Sequence, residues 1–154
     1  MSGERFTIDT NVLIYGFNNQ SGNRRDCAKE IIRLAIEANC CLTLQALSEF
    51  YFATTRKGMM PRSVAASQVD DWLDMFPTVT ANAAAIRVAI ADATIGRASY
   101  WDALLVATAA EAGCTAILTE DMAGGTCLGP VRIINPFTFR GGMSEEAKQL
   151  LALE

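Results

Sequence analysis

At 154 residues, with 51% hydrophobic and 19% charged residues, the chain has the size and apolar content of one folded domain and not of a disordered segment. A formal net charge of −4 excludes nucleic-acid binding by bulk positive charge and leaves only a local basic patch. The sequence contains no histidine, which excludes Ser/His and Cys/His nucleophilic schemes and removes the commonest general base.

In chain order, Phe6, Ile8, Val12, Leu13 and Ile14 read as a first strand and the turn after it, with Asp9 and Asn11 placing polar groups where the strand leaves the sheet. A polar loop over 18–23 precedes a helix from Arg24 to Ala38, whose apolar residues recur at helical spacing. Cys40 to Leu44 is short, apolar and β-prone, and Gln45 to Lys57 then turns helical and stops at Gly58. Pro61 opens another helix, with Ala65, Val69, Trp72, Leu73 and Phe76 inward and Asp70, Asp71 and Asp74 on the solvated face.

Pro77 to Thr80 resembles a short strand, and Ala83 to Ile95 a helix with Ile86, Ala89, Ile90 and Ala93 inward. A helix rich in small residues runs from Tyr100 to Ala112 and ends on Gly113. Thr115 to Thr119 is the clearest later strand, and Val131 to Ile134 is a last short strand stopped by Asn135-Pro136. The tail from Gly141 reads as a small helix starting near Ser144, and Leu153-Glu154 is either the native end or a cloning remnant. Strands alternating with helices predict an α/β fold of three layers (α/β/α) with a central, mainly parallel sheet and right-handed crossovers.

The five cysteines, Cys27, Cys40, Cys41, Cys114 and Cys127, are odd in number and form no CxxC pair, so neither a complete disulfide framework nor a zinc site is expected, and core packing is their predicted fate. No apolar run reaches the roughly 18 residues that cross a bilayer, and Met1 to Arg5 lacks the pattern of a signal peptide, so no membrane partner is expected and the cytoplasm is the expected compartment.

On this architecture four carboxylates fall at one edge. Asp9 ends the first strand, Glu49 lies a turn into the helix after the second, Asp102 is in the first turn of the Tyr100 helix, and Asp121 follows the strand that ends at Thr119. The carboxyl ends of parallel strands and the amino ends of the following helices share the edge where ligands bind. Taken singly, Asp9 and Asp121 are also ordinary turn residues, Glu49 a surface charge and Asp102 a helix cap after Ser99. Taken together, four like charges in one pocket call for a cation, and Mg²⁺ or Mn²⁺ takes oxygen ligands, retains waters and turns a bound water into a nucleophile. Phosphodiester hydrolysis is the reaction that most naturally uses such a site.

The stretches Asp9-Thr10-Asn11, Ser48-Glu49-Phe50-Tyr51, Tyr100-Trp101-Asp102-Ala103-Leu104-Leu105 and Leu118-Thr119-Glu120-Asp121 together resemble the four acidic motifs of PIN domains, and within them the VapC-type toxin ribonucleases. The likeness spans about residues 5 to 137, giving a PIN-like nuclease domain over 1–140 and a short helical tail over 141–154. It implies an endoribonuclease dependent on Mg²⁺ or Mn²⁺, the toxin of a toxin–antitoxin pair, a homodimer inhibited by a small cognate antitoxin. It also implies Asp9, Glu49, Asp102 and Asp121 as metal ligands and catalytic acids, with Asn11 and Thr119 as polar support. Glu120 stands where many relatives have an amide, and either adds a ligand or faces solvent.

Arg24, Arg25, Arg56, Lys57, Arg62 and Arg97 are candidate RNA contacts or ordinary solvated charges, and Tyr15, Tyr51 and Trp101 either stack on bases or belong to the core. Two other classes compete with the nuclease. One is a non-catalytic PIN module that binds RNA or protein. The other is a receiver-like domain phosphorylated on an Asp, for which the chain offers no phosphate-cradling glycine loop.

Overall fold

The computed structural model describes residues 3–152; Met1-Ser2 and Leu153-Glu154, the pair read as either the native end or a cloning remnant, lie outside the described residues. In chain order the elements are β1 (Phe6–Ile8), α1 (Thr10–Tyr15), α2 (Asn23–Ile36), β2 (Leu42–Thr43), α3 (Leu44–Arg56), α4 (Arg62–Met75), β3 (Thr78–Val79), α5 (Ala83–Thr94), α6 (Tyr100–Glu111), β4 (Ala116–Leu118), β5 (Cys127–Leu128), β6 (Val131–Ile134) and α7 (Glu145–Leu150).

The sheet has the order β1-β4-β6-β5, parallel from β1 through β4 to β6 and antiparallel only at β5. A second parallel pair, β2 and β3, is linked to β1 through the bridge between Phe6 and Cys40. Helices connect β1 to β4 and β2 to β3, whereas β4 reaches its parallel neighbour β6 through the loop that carries β5, and the three-layer α/β arrangement with a mainly parallel sheet is the observed fold. β1 and β4 are buried on every residue, as strands covered on both faces must be.

The core is built where these layers meet. Phe6, Ile8, Leu42, Leu118 and Ile134 from the strands pack with Val12, Leu13, Ile31, Leu47, Phe50 and Trp72 from the helices. Phe17, Phe50 and Trp72 meet edge to face, with centroids 4.8–5.8 Å apart, a geometry that satisfies ring quadrupoles while burying apolar area. The C-terminal helix closes this cluster: Ser144 caps it, and Ala147, Leu150 and Leu151 join the same core.

Several expectations are corrected. Val12 to Ile14 are helical, because Asp9 stops β1 and its carboxylate accepts the Thr10 N–H to start α1 at once. The second strand is only two residues long, since Thr43 caps α3 and Leu44 is already helical. Leu73, Ile86 and Ile90 are exposed, not inward. On α4 the buried positions are Ala65 and Trp72. On α5 they are the small Ala85 and Ala89, which let α5 lie close against Ala103 and Leu104 of α6. Strand β5, absent from the sequence reading, pairs with β6 through two residues after the Gly124-Gly125 turn.

Candidate metal centre

Asp9 is the most constrained of the four carboxylates. It sits between the end of β1 and the start of α1, with only 7% of its surface exposed. One oxygen accepts the Thr10 N–H at 2.7 Å. The other accepts the Thr119 hydroxyl at 2.8 Å and the Asn11 amide at 3.2 Å. Burial raises its carboxyl from 3.8 to about 6; the bonds from Thr119 and Thr10 oppose that shift, while the charges of Asp102 and Glu49 add to it.

Thr119 is the hub of the pocket floor. Besides donating to Asp9, its hydroxyl oxygen accepts from Asn11 Nδ2 at 3.1 Å and from the Asp121 backbone N–H at 3.3 Å. Asn11 returns the link, its amide oxygen accepting the Glu120 N–H at 3.2 Å. The two polar residues predicted as support thus join the ends of β1 and β4 and set the course of the chain through Glu120 and Asp121.

Glu49 arrives from α3. Gln45, one turn earlier, donates to Glu49 Oε1 at 2.9 Å and to the Trp101 carbonyl at 3.2 Å. The Thr10 hydroxyl lies 3.4 Å from Glu49 Oε2 and donates to the Ala46 carbonyl at 3.2 Å. Asp102 stands in the first turn of α6, whose cap is Ser99: the Ser99 hydroxyl accepts the Asp102 N–H at 3.2 Å. Ser99 is thus the residue that caps the helix, and the Asp102 side chain lines the cleft.

Asp9, Glu49, Asp102 and Asp121 line one open cleft of about 720 Å³, together with Tyr15, Phe52 and Lys57. Lys57 is the one Lys or Arg in that lining among the described residues. No group of three or more Asp, Glu or Cys side chains among the described residues is gathered closely enough to hold an ion unaided. The donors nevertheless fit a hard divalent cation that keeps several waters: every one is oxygen, and Asp9 is a desolvated carboxylate pressed by two others.

Glu120 points elsewhere. Its carboxylate accepts from the Tyr15 hydroxyl and from Arg24 Nε, the latter at 3.0 Å. The bond to Glu120 pushes the Tyr15 phenol up to about 12. Arg24 also lies over the Phe137 ring, 5.8 Å from its centroid, so it braces the loop beside the cleft.

The other candidate RNA contacts scatter. Arg25 engages Asp26 and Asn19, Arg97 pairs with Asp92, and Arg56 covers the Phe52 ring at 5.3 Å, beside Arg62. Of these cations Lys57 alone lines the main cleft. Tyr51 and Trp101 are surface residues, Trp101 at 63% exposure, and Tyr15 packs against the core with its hydroxyl at Glu120. The sequence by itself assigns no role to Gln45 or Thr10; the spacing of Gln45 four residues before Glu49 is the available signal.

The fold and the cleft define an α/β domain with an acidic pocket at the carboxyl edge of a parallel sheet. The PIN domain family profile matches residues 6–123, and the chain belongs to that family. No curated protein matches the sequence. Among solved structures it is similar to a toxin–antitoxin complex from Klebsiella pneumoniae (16% identity, TM-score 0.61, covering 85% of this chain and 97% of that one). It is also similar to VapBC2 from Rickettsia felis bound to a promoter DNA fragment (13%, 0.61, 83% and 96%), and to DNA-bound VapBC from Salmonella typhimurium (16%, 0.60, 84% and 96%). At such identities the likeness is one of fold.

Proposed function

We propose that the chain is a divalent-metal-dependent endoribonuclease of the VapC type, the toxin of a toxin–antitoxin pair. The observation that carries the reading is the convergence of Asp9, Glu49, Asp102 and Asp121, from four separate elements, on one cleft. The family membership and the toxin–antitoxin structures of like fold support it.

On this reading those four carboxylates hold Mg²⁺ or Mn²⁺, directly or through water. Bound there, the ion would lower the pKa of a coordinated water and offset charge on the scissile phosphate. The protein's part is positional. Thr119 and Asn11 hold Asp9 Oδ2, the Thr10 N–H holds Oδ1, and Gln45 and the Thr10 hydroxyl hold Glu49. Lys57 at the cleft wall supplies a point charge for the RNA backbone, and Tyr15 and Phe52 present ring surface to bases.

The partners are proposed with the activity: RNA as substrate and a small cognate antitoxin as inhibitor. A homodimer is supported by one side of α5, where Ile86 and Ile90, a turn apart, are 39% and 52% exposed. No helix among the described residues is long and apolar enough to cross a membrane, which accords with a proposed cytoplasmic setting. The test is incubation of purified protein with RNA in Mg²⁺, in Mn²⁺ and in chelator: cleavage confined to the metal-containing samples supports the reading. Binding without cleavage under every condition would instead favour a non-catalytic PIN module.

A further inference from the structure

The sheet edge opposite the cleft holds a second chemically distinctive cluster. Cys41 and Cys114 are 0% and 2% exposed, and their sulfurs stand 3.4 Å apart across 73 residues of sequence. The start of β1 runs between them. Cys41 N–H donates to the Phe6 carbonyl at 3.1 Å, and Thr115 N–H donates to the Arg5 carbonyl at 2.9 Å. Hydrogen bonds on both sides of β1 therefore fix where the two thiols stand. Ala109, Ala112 and Val79 pack around them.

Arg5 supplies the second observation. Its Nε is buried without a hydrogen-bond partner among the described residues, an arrangement that costs free energy unless an anion forms beside it. The contact with the Cys114 sulfur and the Arg5 guanidinium hold the Cys41 thiol below its ordinary value against the effect of burial, and the same contact, with burial, pushes the Cys114 thiol up. Thiolate character next to a second thiol is the chemistry of a reactive dithiol. Cys40, though adjacent in sequence, is pushed well above the ordinary thiol value by burial, and its sulfur turns to the Cys41 carbonyl at 3.6 Å.

We propose that Cys41 and Cys114 form a redox-modifiable pair that a small peroxide closes to a disulfide. The Cys41 thiolate attacks one peroxide oxygen; an S–O bond forms, the O–O bond breaks, and the departing hydroxide takes a proton to leave as water. The Cys114 sulfur then attacks the Cys41 sulfur, forming the S–S bond and breaking the S–O bond, while its own proton leaves with the hydroxyl as a second water. Overall the two thiols lose two protons and two electrons, and the peroxide receives them as it becomes two waters. The sulfurs need to approach from 3.4 Å to about 2.05 Å. Their burial restricts the oxidant to one near the size of water. The crosslink would tie the base of β2, which leads into α3 and Glu49, to the link between α6 and β4, which carry Asp102 and Thr119.

The inference does not rest on nuclease activity, and its test reads the bond itself. The folded full chain is treated with hydrogen peroxide, free thiols are blocked under denaturing conditions, and unreduced peptides are mapped by mass. The expected result is a peptide pair joined through Cys41 and Cys114, lighter by two hydrogen atoms than the separate peptides and split by reductant. It should persist in Cys127→Ser and vanish in Cys41→Ser and Cys114→Ala. Arg5→Gln, which keeps both thiols, should slow closure several-fold. Recovery of both thiols blocked and unlinked, or linkage of either one to Cys40, Cys27 or Cys127 instead, would overturn the proposal.

Discussion

The Thr119 hydroxyl donates a 2.8 Å hydrogen bond to Asp9 Oδ2 and thereby joins residues 110 positions apart at the ends of two adjacent parallel strands. The same oxygen accepts from Asn11 and from the Asp121 backbone. One hydroxyl thus orders both the most buried carboxylate and the loop that carries the last one.

Replacing Thr119 by Val keeps the shape and removes that hydroxyl. The expected cost is about 1–3 kcal/mol of stability, because the buried Asp9 loses a donor and two N–H groups lose an acceptor. Chemical denaturation measures it, and Thr119→Ser should recover most of the loss. A Val variant as stable as wild type would mean that the hub contributes nothing.

The raised carboxyl of Asp9 fixes a sign. Its folded value, about 6, lies above the unfolded 3.8, so its contribution to stability is fully present below the unfolded value and is lost as pH rises through about 6. In chelator, the metal-free protein should lose up to about 3 kcal/mol on this account between pH 4 and pH 7. Asp9→Asn should flatten that slope in melting curves taken across the range. At neutral pH, Mn²⁺ should raise the melting temperature of wild type and not of Asp9→Asn.

Glu120 and Asp121 are neighbours with different work. Glu120 holds Tyr15 and Arg24, whereas Asp121 lines the cleft. Glu120→Gln should weaken a partly exposed ion pair, costing roughly 1 kcal/mol or less, and leave Mn²⁺ affinity near wild type. Asp121→Asn should weaken it. Calorimetric titration of the two variants separates the roles, and equal losses would show that Glu120 reaches the metal.

Lys57 tests the path of RNA. Lys57→Ala should weaken RNA binding evenly across sequences and reduce the slope of log affinity against log salt by about 1 at most. Filter binding over a salt series reads both quantities. Arg97→Ala, which removes a cation outside the cleft lining and paired with Asp92, should leave the slope unchanged.

The acidic edge was legible from the sequence for a geometrical reason. Once strands alternate with helices, strand ends and helix starts must share an edge, and Asp9, Glu49, Asp102 and Asp121 all fall there. Helix α1 was not legible, because six residues carry too little periodicity to separate a helix from a turn. The exposure of Ile86, Ile90 and Leu73 was hidden because periodicity locates an apolar stripe without saying what covers it. Arg24 read as a candidate RNA contact; its ion pair spans 96 residues of sequence and depends on the strand ends meeting.

The most direct measurement of the central claim is single-turnover RNA cleavage by wild type, Asp9→Asn and Asp102→Asn at neutral pH, with Mg²⁺ or Mn²⁺ and with chelator, after melting curves have shown each protein folded. The account predicts cleavage by wild type only when the ion is present, and a loss of about a hundredfold or more in each variant. Cleavage in chelator, or wild-type rates in both variants, would contradict it.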